Sequence, residues 1–154
     1  MLGEVSWDAQ TGWPRIQPQG ERAETKKNFR DDFSGADLSY AWQWDFRNSQ
    51  PHWKMEKGNL YLSGKTTGNN STGTVLTVRP LTGDYEISTE VIHHNASLKG
   101  LVLYGDAGQA VGIGVQNSTI QVWEVKSNKR RVVAQQPLGS NKPLRLRMKV
   151  EKGY

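Results

Sequence analysis

The chain has 154 residues, 35% of them hydrophobic and 6 of them Trp, with a formal net charge of +5. That length can enclose one core, and indoles bring large buried areas to a modest apolar fraction; the lack of Cys excludes a disulfide framework and a thiolate metal site. No apolar run is long enough to span a bilayer, and the opening MLGEVSWDAQ has neither the basic nor the apolar region of an export signal, so no membrane partner is expected.

Residues 1–20 hold Trp7 and Trp13 in SWDAQTGWPRIQPQG and are expected to pack on another surface, because exposed indoles are costly. Residues 21–27 lack any apolar period and read as a linker. The domain proper is expected over 28–154, where period-2 alternation and Gly, Asn, Pro and Ser punctuation predict many short strands and no helix. The strands are expected at 29–33, 40–46, 52–56, 59–63, 73–79, 84–94, 100–105, 109–115, 119–125, 130–136 and 143–150. The fold class is therefore all-β, an antiparallel sandwich. EKGN at 56–59 and SNKR at 127–130 have the flexible residues of hairpin turns.

Side chains two apart on a strand share a face. Trp42, Trp44 and Phe46 are thus expected together, with Trp42 and Trp44 buried against Leu101 and Leu103. The GIG at 112–114 is not a dinucleotide loop, since no helix follows; its glycines allow close sheet packing or the approach of a ligand. The positive balance raises nucleic acid or an acidic polysaccharide as a partner. Its excess lies in short clusters, Lys26-Lys27 and Lys129-Arg130-Arg131, which read as solvated linker and hairpin turn, and no nucleic-acid partner is expected.

Asp31 and Asp32, adjacent on an expected strand, point to opposite faces and cannot cooperate in acid–base chemistry. They are candidates either for a structural Ca²⁺ or, preferred, for satisfying turn amides. His93 and His94 also diverge, and only His52 remains as a further His, which disfavours a metal site. Trp42, Trp44, Trp53 and Trp123 offer a sugar-stacking platform in principle, but alternating Trp on strands more often belongs to a core.

DDFSGADLSYAWQWDF at 31–46, HWKMEKGNLYLSG at 52–64, DYEISTEV at 84–91 and GLVLYGDAGQAVGIGV at 100–115 together resemble the C-terminal concanavalin A-like β-sandwich of glycoside hydrolase family 43. WDAQTGWPRI at 7–16 resembles the closing segment of the five-bladed propeller that precedes this sandwich. The resemblance implies a concanavalin A-like jelly roll serving as a non-catalytic accessory module, whose parent enzyme hydrolyses xylosidic or arabinofuranosidic bonds. In that family the acid and base sit on the propeller and flank the sugar roughly 6.5–9.5 Å apart, so no catalytic residue carries over. The implied partners are the catalytic propeller and, through the parent, a xylo- or arabino-oligosaccharide. HHNASLK at 93–99 is the expected contact loop, with His93, His94, Asn95 and Trp123 as candidate carbohydrate contacts. The alternative is an autonomous carbohydrate-binding module; a jelly-roll glycanase is disfavoured because no ExDxxE-like pair appears. The family's sandwich continues past a KVEKGY-like strand, so a chain ending at Tyr154 is expected to leave an unpaired edge open to self-association.

Overall fold

The computed structural model describes residues 4–17, 28–140 and 142–151. They fall into two compact units, Met1–Arg30 and Asp31–Tyr154. The linker expected at 21–27 lies outside the described residues.

The first unit is a hairpin of β1 (Glu4–Trp7) and β2 (Pro14–Gln17), paired antiparallel with Trp7 opposite Pro14. Asp8 builds its turn: Oδ1 accepts the amides of Gln10 and Thr11, both at 2.9 Å, and Oδ2 accepts the Arg15 guanidinium. The Thr11 and Gln10 amides hold the Asp8 carboxyl below its ordinary acidity range. Trp7 and Trp13 are 71% and 74% exposed.

The second unit contains only strands and irregular backbone among the described residues. They are β3 (Gln43–Trp44), β4 (Ser49–Glu56), β5 (Asn59–Thr66), β6 (Leu76–Thr77), β7 (Tyr85–Val91), β8 (Lys99–Asp106), β9 (Gln109–Gln116), β10 (Thr119–Lys126), β11 (Lys129–Pro137) and β12 (Leu144–Val150). Strands β8 to β11 form a four-stranded antiparallel meander, and the rest pair as β12–β7, β3–β6 and β4–β5. No described helix is long and apolar enough to cross a membrane.

Tight turns set the register. Lys57 and Gly58 between β4 and β5, Asn117 and Ser118 between β9 and β10, and Ser127 and Asn128 between β10 and β11 all have positive φ. Paired left-handed residues match the right-handed twist of the flanking strands. Two irregularities interrupt the meander: Val133 has no partner on β10, and Gly105 has none on β9. Each is an extra residue that bends its strand and increases its twist.

The meander buries side chains on both faces. From one face Leu101, Ile113, Val115 and Ile120 pack with Val91, Leu144 and Leu146 of the β7–β12 pair, and Val115 is fully buried. Each such aliphatic side chain contributes about 1.5–3 kcal/mol through burial. The opposite face carries Trp123, Val125 and Tyr104, since cross-strand partners share a face. Trp123 is 4% exposed and lies across Gly112, with the Arg130 guanidinium 5.2 Å above its ring.

Several expectations fail between residues 29 and 79. No strand forms at 29–33; Asp31 and Asp32 make turns there instead. The expected strand at 40–46 shrinks to Gln43–Trp44, and that at 73–79 to Leu76–Thr77. Trp42 donates to Ser39 O at 3.0 Å, and Asn48 and Ser49 donate to Asp45 O, so turns flank β3 on both sides. Trp42, Trp44 and Phe46 therefore share no strand face; Trp44 is 43% exposed and Phe46 74%. Leu101 packs against the core cluster of Val91, Val115 and Leu146.

Candidate functional site

The loop from Ile92 to Leu98 joins β7 to β8 and contains His93, His94 and Asn95. The expected strand at 84–94 ends at Val91, so the two histidines stand on the loop rather than on opposite strand faces. Asn95 anchors it. Its carbonyl accepts the Asn117 amide at 2.9 Å, and its Oδ1 accepts the Ser97 amide at 3.1 Å and the Lys99 ammonium. Lys99 Nζ also donates to His93 O at 3.2 Å, and Gln116 Nε2 donates to Ala96 O at 2.8 Å. The loop is thereby fastened to the β9–β10 turn. Partial desolvation pushes the Lys99 ammonium to lower pKa. His93 is exposed, whereas both ring nitrogens of His94 are buried without a hydrogen-bond partner.

Trp123 belongs to strand β10 rather than to the 92–98 segment. It sits in the middle of β10 opposite Gly112, covered by Arg130, with its Nε1 buried and unpartnered.

Asp31 and Asp32 lie on an irregular segment. Asp31 Oδ1 accepts the Phe33 amide at 2.9 Å and Oδ2 accepts Trp42 Nε1 at 2.7 Å; the Phe33 and Trp42 rings stack at 5.9 Å. Asp32 Oδ1 accepts the Ser34 amide at 3.1 Å and its hydroxyl at 2.6 Å. Among the described residues no three His, Cys, Asp or Glu side chains gather as a metal would require. The Asp31 and Asp32 carboxylates accept these local amide, hydroxyl and indole donors, as carboxylates that close turns do.

The opposite end of the meander holds features that the strand pattern did not reveal. Tyr104 on β8 donates its hydroxyl to Asp45 Oδ2 at 2.5 Å, and Asn48 Nδ2 donates to the same oxygen at 2.7 Å. The Tyr104 bond, then that of Asn48, holds the Asp45 carboxyl below its usual range; burial first, then Asp45, pushes the Tyr104 phenol far up. Beside this couple is an open cleft of about 350 Å³ lined by Asn48, Asp106, Ala107, Gly108, Gln109, Ser127 and Asn128. One signal for it was legible: in a meander, the first and third turns fall at the same end, which brings DAGQ at 106–109 beside SNKR at 127–130.

On the meander surface, Glu124 is bracketed by Lys126 at 3.1 Å and Arg131 at 2.5 Å, and these two cations keep its carboxyl low. Asp8, Asp45 and Glu124 are thus all shifted away from the raised pKa that a glycosidase general acid requires.

Residues 30–154 match the family model described as the β-xylosidase C-terminal concanavalin A-like domain. Neither the curated proteins nor the solved structures gave a match.

Proposed function

The chain belongs to the family of concanavalin A-like C-terminal domains of glycoside hydrolase family 43 β-xylosidases, and on that premise we propose that it is a non-catalytic accessory module packed on the catalytic domain of its parent. The parent hydrolyses xylosidic or arabinofuranosidic bonds. The observation that carries this reading is the family match over 30–154. The hydrogen bonds that lower the Asp45 and Glu124 pKa disfavour these two carboxyls as a general acid. In this reading the 92–98 loop, stiffened by Asn95 and Lys99, faces the catalytic domain and presents His93. Residues 1–20 are the closing segment of the propeller, a role that suits the exposed indoles of Trp7 and Trp13.

The direct test is an assay of the full chain on 4-nitrophenyl β-xyloside and α-arabinofuranoside. No release above the uncatalysed rate is expected. Release that disappears in Asp106→Asn or Glu124→Gln would overturn the non-catalytic reading.

A further inference from the structure

We propose that the cleft between the β8–β9 and β10–β11 turns binds a short neutral carbohydrate, the size of a mono- or disaccharide. This assignment does not rest on the accessory role. The chemistry of the lining selects the ligand class. No Lys or Arg lines the cleft, so an anionic ligand would lack the cations that normally recognise it. Asp106 is the one acid there, and its Oδ1 already accepts the Gly108 amide at 2.7 Å, which leaves too few charged oxygens for a divalent cation. Ala107 is the sole aliphatic lining residue. What remains is a set of neutral donors and acceptors, the complement of hydroxyl groups that both donate and accept.

These groups are also uncommitted. Among the described residues, the Gln109 amide, the Ser127 hydroxyl and the Asn128 side-chain amide make no hydrogen bond, and Asn48 commits only its Nδ2. Their backbone is held. Asn128 N donates to Gly108 O at 3.4 Å, Asn128 O accepts the Ser71 hydroxyl, and Thr72 Oγ1 donates to Ala107 O at 3.2 Å. The Tyr104–Asp45–Asn48 couple fixes the third wall. The site therefore loses little backbone freedom on binding.

The test is an amide NMR titration of the full chain with xylobiose, arabinobiose and cellobiose in turn, and separately with calcium chloride. Saturable shifts are expected at Asn48, Gly108, Gln109 and Asn128 with at least one disaccharide, and none with calcium. Gln109→Ala and Asn128→Gly, the latter preserving the left-handed turn, should each weaken binding about tenfold without lowering the melting temperature. The proposal is overturned if no disaccharide gives saturable shifts, if the shifts map to the 92–98 loop instead, or if calcium alone produces them. Failure here leaves the accessory role untouched, since that is read from activity.

Discussion

The indole of Trp123 lies so close over Gly112 that a Cβ built on the glycine would stand 2.4 Å from Trp123 Cζ2 and 2.7 Å from Leu101 O. The glycine is what lets a large ring lie flat on the sheet. Gly112→Ala should destabilise the domain by about 1–3 kcal/mol, the usual cost of overpacking. Gly139→Ala, with open space around it, should stay within about 0.5 kcal/mol of the parent. Denaturant midpoints of the two variants check this; equal midpoints would mean that the ring does not rest there.

Removing the rings themselves separates core from surface. Trp123→Ala should cost about 3–5 kcal/mol. Trp44→Ala should cost far less, because that side chain is already 43% exposed. Acrylamide quenching and urea melts report the two effects independently, and a Trp44 variant as damaged as the Trp123 variant would contradict the fold around β3.

The Tyr104–Asp45 bond makes stability depend on pH at both ends. Asp45 has a lowered folded pKa, so its contribution is present above the unfolded carboxylate value of about 4 and is lost as pH falls through the folded value. Tyr104 has a raised folded pKa. Its contribution is therefore full below the unfolded phenol value of about 10 and declines as pH rises beyond it. Tyr104→Phe should cost about 1–3 kcal/mol at neutral pH and flatten both limbs of the stability–pH curve. A curve of unchanged shape would show that the couple is not formed in solution.

The 92–98 loop is held chiefly by polar bonds. Asn95→Ala removes the acceptor of the Lys99 ammonium and of the Ser97 amide. Hydrogen exchange at residues 93–98 should accelerate while the global midpoint moves by about 1 kcal/mol or less. Unchanged exchange would show that the main-chain bond from Asn117 suffices.

Deleting residues 1–20 should leave the sandwich folded with nearly unchanged cooperativity, because Asp31–Tyr154 forms a compact unit of its own. Loss of the cooperative transition would place Trp7 or Trp13 in the sandwich core.

The strands from β7 onward were legible because alternation and turn chemistry agree there: each apolar residue of Tyr85–Val91 and Leu144–Val150 has its polar neighbour outside. Residues 29–46 misled because Trp42, Trp44 and Phe46 imitate that period. Asp31, Ser39 and Asp45 instead accept local amides and close turns. For the candidate sites, the sequence located the His93–Asn95 loop but not its anchors, which come from the distant β9–β10 turn. Trp123 was named beside these residues as a candidate carbohydrate contact, but it stands on β10 with the Arg130 guanidinium over its ring. The cleft was missed because its side chains come from separate turns, none distinctive alone.

The unpaired Val133 has a bearing on assembly. Strand β11 is the outermost strand of the meander, exposed along its whole length, and a straight edge of that kind would template the addition of strands from other molecules. The extra residue breaks the regular run of donors and acceptors at its centre, and Lys129, Arg130 and Arg131 set like charges at one end. Sheet growth across this edge is thereby disfavoured. Excising Val133 should straighten it and raise the propensity to form intermolecular sheet, which light scattering and thioflavin fluorescence would register.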